Sequence, residues 1–223
     1  MTPNEPPLLS ATGIWKSFRR RTKPVLRNAE LRVWAGEVVA LVGENGAGKT
    51  TLLRICAGLS APDAGQVLAA GSIGYCPQEP GVFDLLTADE HMVLFGRAVG
   101  LSRTAAVMQG KKLLQGFGFS SEHGDVAREL SGGARQKLNV ALALLGDPPV
   151  LLLDEPYQGF DRGAYVNFWD HVQTWRDEGR AVVVVTHLLA ELDRVDRIVE
   201  LSIPTAGRAM AAAEVEPESG KVG

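Results

Sequence analysis

Gly43-Glu44-Asn45-Gly46-Ala47-Gly48-Lys49-Thr50-Thr51 stands between the apolar run Glu37-Val-Val-Ala-Leu-Val42 and the stretch Thr51-Leu-Leu-Arg-Ile-Cys-Ala-Gly58. The first flank reads as a short buried strand and the second as a helix start. Strand, Gly-rich turn, then helix is the context that gives the spacing G-x-x-x-x-G-K-[ST] a mechanism. Gly43, Gly46 and Gly48 let the backbone curl so that its N–H groups face a phosphate. The helix N-terminus adds unpaired donors and the positive end of its dipole. Lys49 can then reach the β- and γ-phosphates, and the Thr50 hydroxyl can sit on Mg²⁺. A Gly-rich turn that merely happened to carry a lysine would not need those flanks. The stretch implies nucleotide binding.

Composition sets the frame around it. At 223 residues, with 45% apolar and 22% charged residues, the chain fits one globular domain that buries a full core. A net charge of −3 speaks against nucleic acid as the main partner. Arg19-Arg20-Arg21 with Lys23 is a local exception, and reads as a solvated loop. Cys56 and Cys76 lack metal-ligand spacing and read as buried free thiols in a reducing compartment. The start, MTPNEPPLLS, has neither the basic nor the long apolar part of a secretory signal. Nothing approaches the roughly 18 apolar residues that span a bilayer. The nearest run, Leu138 to Leu153, is broken by Gly146-Asp-Pro-Pro149 into helix, turn and strand. The chain is expected to form no transmembrane path alone.

Along the chain, Leu8 to Phe18 and Val25 to Val33 read as strands joined by a basic turn. Gln66 to Ala69 and Ile73 to Cys76 are short strand candidates around Gly71. From Thr87 to Gly116 the pattern turns helical, with Met92, Phe95 and Val99 at helical spacing and Thr87/Glu90 as a capping box. A helix is expected from Leu130-Ser-Gly-Gly to about Leu145, then a strand at Val150 to Leu153. Ala164 to Glu178 reads as a helix with Tyr165, Phe168, Val172 and Trp175 on its core face. Ala181 to Val185 is the continuous β-branched run of a strand buried on both faces of a parallel sheet. Asp193 to Leu201 offers a last helical turn and strand, and the stretch from Ser202 has no periodicity.

A second cluster of chemistry follows the strand Val150-Leu-Leu-Leu153, which ends in Asp154-Glu155. Beside a phosphate loop, a strand-end Asp holds Mg²⁺, and the next carboxylate is placed to polarise an attacking water. Ser131-Gly132-Gly133 opens a helix, so it is a further anion-binding N-terminus with a hydroxyl to add. His187 closes the β-branched strand where parallel strands form a ligand crevice.

Together these pieces resemble the ATP-binding cassette ATPases over about residues 8 to 201. GENGAGKTT matches their Walker A motif, YCPQ their Q-loop with Gln78, and LSGGARQ (Leu130 to Gln136) their signature. VLLLDEP matches Walker B, YQGFD the D-loop with Asp161, VVTH the H-loop with His187, and Phe18 stands where the family stacks an aromatic on adenine. The resemblance implies an α/β fold: a P-loop NTPase core with a mainly parallel sheet, an N-terminal antiparallel β-subdomain and an inserted α-helical subdomain. It divides the single domain 1–223 into a nucleotide-binding core (1–85 and 150–201), a helical subdomain with the signature helix (86–149) and a mobile tail (202–223).

The implied cofactors are ATP and Mg²⁺. ATP would lie on Phe18, on Gly43 through Thr51, and on Ser131, Gly132 and Gly133. Mg²⁺ would lie on Thr50, Gln78 and Asp154, with Glu155, His187 and Gln78 catalytic. Two departures stand out: Ala134 replaces the usual glutamine of the signature, and Tyr157-Gln158 replace small residues at the start of the D-loop. The implied partners are an integral-membrane permease and a second ATPase subunit, identical or not, with ATP sandwiched at the dimer interface and no nucleic acid. The resemblance places the chain in the cytoplasm, held at the inner face of the membrane through the permease. A short cassette without a large added domain favours an exporter subunit. The alternative is a soluble cassette ATPase in translation, repair or cluster assembly; a small-molecule kinase would have no use for LSGG.

Overall fold

Val38 to Leu41, Leu151 to Leu153 and Ala181 to Val185 are buried without interruption. Such runs are stable only in strands covered on both faces. In the computed structural model, described over residues 5–18, 24–119, 124–186, 193–203 and 213–215, they form β3 (Glu37–Val42), β6 (Val150–Asp154) and β7 (Ala181–Val185). These strands are the centre of a six-stranded sheet of order β5-β6-β7-β3-β8-β9. β5 (Ile73–Cys76) and β8 (Arg197–Glu200) join it in parallel, and β9 (Ala213–Val215) closes one edge antiparallel to β8.

Side-chain alternation along the strands builds two cores. Val38, Ala40, Leu151, Leu153, Val182 and Val184 face one side, where they meet the apolar residues of α4 (Gly132–Ala143) and α5 (Arg162–Asp177). Val39, Leu41, Leu152, Val183 and Val185 face the other, against α1 (Lys49–Cys56) and a three-stranded antiparallel sheet. That second sheet has the order β2-β1-β4, from β1 (Leu9–Lys16), β2 (Leu26–Val33) and β4 (Ala64–Ala69). The fold is thus the expected α/β arrangement, with a mainly parallel sheet, an antiparallel sheet and helices.

Between β5 and β6 lie α2 (Ala88–Ala98), α3 (Arg103–Gly116), a 3₁₀ turn at Ala127–Glu129 and α4. The capping box is present: Thr87 accepts from the Glu90 N–H while the Glu90 carboxylate accepts from Thr87 N–H at 2.8 Å. Ser131 and Asp161 cap α4 and α5 in the same way, accepting from the N–H groups of Ala134 and Ala164. A side-chain oxygen at this position satisfies a donor that the helix itself leaves open. On α5 the buried face is Phe168, Trp169, Val172 and Trp175, and Tyr165 is only partly covered. Trp169 follows Phe168 directly and is fully buried, an addition to the expected face. Truncating either aromatic to Ala would cost about 3–5 kcal/mol.

The stretch from Ser202, expected to lack structure, is corrected at one point. Ala213–Val215 form β9, because β8 offers it an open edge of backbone donors and acceptors. Arg19 to Arg21, Lys23 and His187 lie outside the described residues. Both cysteines are free and buried, and burial pushes the Cys56 thiol up to about 12. Among the described residues no helix is long and apolar enough to cross a membrane.

Candidate functional site

β3 ends at Val42 and α1 begins at Lys49, so Gly43 to Gly48 is the turn between the central strand and a helix N-terminus. The N-cap, Gly48, has φ 102° and supplies no side-chain cap. A Cβ there would stand 2.7 Å from Leu26 Cδ2 on the antiparallel sheet. With no capping oxygen, the N–H groups of the first turn of α1 are left for a ligand. At the other end of the turn, a Cβ on Gly43 would collide with the carbonyl oxygen of Leu201, whose own N–H donates to Val42 O at 2.9 Å.

Lys49 is buried and curls over this turn, donating from Nζ to the carbonyls of Gly43 at 2.7 Å and Glu44 at 3.2 Å. Burial holds its pKa below the ordinary lysine value, while the nearby charges of Glu155 and Asp154 act the other way. An anion in the turn would meet a cation that is already desolvated and aimed.

Asp154 ends β6 and is buried; Glu155 follows in a left-handed conformation, φ 48°. That region is strained for a residue with a Cβ, and strain of this kind gathers at functional sites. The Glu155 carboxylate is held by glutamines: Gln78 Nε2 donates to Oε2 at 3.2 Å, and Gln158 Nε2 donates to the same oxygen. Asn45, Gly46, Gly48, Lys49, Thr50 and Thr51 share with Gln78 and Glu155 the lining of one cavity of about 610 Å³.

Phe18 stands at the mouth of that cavity, 46% exposed, beyond the end of β1. Lys16 Nζ lies 5.6 Å from its ring centroid and is itself fixed by Ala61 O at 2.6 Å and Asp63 at 3.3 Å. Asp63 also accepts from Ser17 N–H at 2.6 Å, and that bond leads the effects that hold its carboxyl below the usual range. The cation and the Ser17 bond orient the ring.

Gly43, Glu44, Ala47 and Asp154 do not line that cavity. Ser131, Gly132 and Gly133 are not brought to it either. They form the first turn of α4 with Ser131 as its cap, and Gly133 packs close to the carbonyl of Gly159. The sequence reading missed Gln158 as a partner of Glu155, although Gln158 was visible as a departure from the family's small residue. It also missed Lys16 beneath Phe18, for which no local pattern signals.

As a metal site, the assigned residues offer a hydroxyl (Thr50), an amide oxygen (Gln78) and a carboxylate (Asp154). Among the described residues no three His, Cys, Asp or Glu side chains gather to hold a metal. A sparse, all-oxygen set fits Mg²⁺, which takes one or two carboxylates and completes its shell with phosphates and water.

The family model described as ABC transporter matches residues 26–158, more than half of the chain. The chain belongs to the ABC transporter family. The human phospholipid-transporting ATPase ABCA7 is 36% identical to this cassette over 209 residues, covering 88% of it and 10% of that protein. The cassette therefore spans about a tenth of the length of the curated relatives it matches. Among solved structures, an ATP-binding subunit of an ABC transporter superposes with a TM-score of 0.81 at 27% identity, covering 94% of this chain and 90% of that one. The dimeric cassette MJ0796, in a post-hydrolysis state with ADP and Pi, gives a TM-score of 0.82 at 22% identity, covering 93% and 98%; that likeness is one of fold.

Proposed function

We propose that this cassette binds ATP with Mg²⁺, hydrolyses it to ADP and phosphate, and so powers a separate integral-membrane permease. The observation that carries the reading is the meeting of Lys49, Thr50, Gln78 and Glu155 around one cavity at a helix N-terminus. Lys49 and the α1 N–H groups bind the phosphates, and Phe18 stacks on adenine. Thr50, Gln78 and Asp154 hold Mg²⁺, which when bound draws charge from the phosphate oxygens. Glu155 accepts the proton of a water as its oxygen attacks the γ-phosphorus and the bond to the bridging oxygen breaks. Gln78 orients that carboxylate, and His187 is assigned to the same reaction by family resemblance.

Ser131 to Gly133 complete the site from a second copy or a related subunit. In support, they form the N-terminus of α4, where the Ser131 side chain takes up one N–H donor of the first turn, and they do not line their own chain's cavity. A solved relative of the same fold is dimeric. Phe83 and Leu85 are 54% and 69% exposed, and the Phe83 ring lies 6.4 Å from that of Phe95, which with Val99 and Leu142 helps line a separate cavity of about 780 Å³. This face is the proposed seat of a permease helix, which would hold the cassette at the cytoplasmic side of the membrane. Relatives whose names record phospholipid transport favour export of a lipid.

The deciding experiment pairs turnover with capture. Wild-type cassette should release phosphate from Mg²⁺-ATP and Lys49→Ala should not, and the native protein should copurify with a membrane permease. Normal turnover by Lys49→Ala would remove the phosphate-site assignment.

A further inference from the structure

Gln78 sits in the short segment Pro77–Gly81 that leaves β5, and both ends of that segment are held by one side chain. Asn139, on α4 and 3% exposed, donates from Nδ2 to Pro77 O at 2.8 Å and accepts on Oδ1 from Gly81 N–H at 3.3 Å. The same Nδ2 lies 3.2 Å from Cys76 Sγ and 3.4 Å from Gln136 Oε1. The Asn139 amide carries a donor and an acceptor on one rigid head, and the clamp uses both. Between the clamped ends, Gln78 reaches across to Glu155 Oε2. The helix that begins at Ser131 and the residue that touches the Glu155 carboxylate are therefore joined by one buried group.

We infer that Asn139 is a positioning residue for ATP hydrolysis: by clamping Pro77 and Gly81 it sets Gln78 against Glu155 and makes that placement follow α4. The inference rests on the ATPase reading above. A purely structural Asn139 would satisfy two backbone groups and nothing else. Its loss would lower the melting temperature but leave the Mg²⁺ requirement and the chemical step alone. A positioning Asn139 must act through Gln78, whose assigned partners are Mg²⁺ and Glu155.

The test compares Asn139→Leu and Asn139→Asp with Gln78→Ala in the purified cassette. It follows kcat, KM for ATP, the Mg²⁺ concentration at half-maximal rate, and melting temperature. Leu removes both bonds at similar volume, whereas Asp keeps the acceptor for Gly81 but turns an oxygen toward Pro77 O. The expected result is a kcat lower by on the order of 10²-fold, the scale of a misplaced catalytic group. The Mg²⁺ requirement should rise and KM for ATP should stay near wild type. Adding Gln78→Ala to Asn139→Leu should cost nothing beyond Gln78→Ala alone. Because a buried substitution can unfold the chain, Gly81→Pro supplies a milder route. Gly81 is exposed, and proline deletes the N–H that Oδ1 accepts while Gly81→Ala retains it. Proline should slow turnover and alanine should not. Additive losses, or lowered melting temperature with unchanged kcat and Mg²⁺ requirement, would overturn the inference alone. A wild-type cassette with no turnover would overturn the ATPase reading and this inference with it.

Discussion

The phenol of Tyr157 lies 2.6 Å from the hydroxyl of Thr186. Tyr157 is two residues beyond Glu155, and Thr186 directly follows β7 and is buried. The bond fastens the segment after Asp154-Glu155 to the end of the neighbouring strand. Around it the ring meets Tyr165 and Phe168 edge-on, with centroids 5.3 and 5.8 Å away. The departure at this position is thus part of the packing between β6, β7 and α5. Tyr157→Phe should cost about 0.5–1.5 kcal/mol, the net worth of one hydrogen bond. Thr186→Val should cost a similar amount, and the double variant should lose less than the sum of the two. Urea unfolding of all four proteins measures this.

Glu155→Gln keeps size and hydrogen-bonding capacity but removes the basic oxygen. Turnover should fall by about 10²–10⁴-fold while ATP binds at least as well, because a negative charge near the phosphates is gone. ATP should then hold two copies together, and adding Lys49→Ala should release them. Size-exclusion chromatography with ATP and Mg²⁺ reads both outcomes. Near-normal turnover would take Glu155 out of the base role.

Phe18→Ala should weaken adenine-nucleotide affinity by about 0.5–1.5 kcal/mol, the scale of an aromatic stack. Lys16→Met, which frees the ring from its cation, should weaken it less. Titration calorimetry with a non-hydrolysable ATP analogue distinguishes them. An unchanged dissociation constant in Phe18→Ala would move the stacking role to another residue.

His91 predicts a pH dependence. It is fully buried, and its Nε2 accepts the Phe83 N–H at 2.8 Å, so Nδ1 carries the proton and donates to Thr87 O at 2.8 Å. Burial lowers its pKa from 6.5, and Arg135 adds to this, while the Thr87 bond and the Glu90 charge oppose it. The unfolded chain therefore takes up this proton first as pH falls. The contribution of neutral His91 to stability is complete above about 6.5 and is lost as pH drops from there toward the lowered folded value. Its slope is at most about 1.4 kcal/mol per pH unit. His91→Gln, which cannot titrate, should flatten the stability profile between pH 7 and 5. An identical profile in the variant would show that other groups carry the acid sensitivity.

What was legible in the sequence was local. The turn at Gly43–Gly48, the strands β3, β6 and β7 and the capping box at Thr87 each carry their signal within a few residues. Two helices begin earlier than their sequence pattern implies: α1 at Lys49, directly after its glycine cap, and α5 at Arg162, because Asp161 caps it. The Gln158 contact with Glu155 and the Asn139 clamp could not be read, because each depends on where an exposed or buried amide falls after the chain has folded back. β9 has no periodicity of its own and exists only through the edge that β8 presents.

The collision awaiting any side chain at position 43 has a consequence for engineering. The obstacle is the Leu201 carbonyl, fixed backbone at the far end of β8, which no rotamer change can clear. The first glycine of GENGAGKTT is therefore demanded by a strand that arrives late in the sequence as well as by the anion it is shaped for. Transplanted into a sheet that lacks this neighbour, the nonapeptide would keep its donors but lose the wall that sets their curvature. A chimera that swaps the N-terminal half must carry residues 197–201 with it.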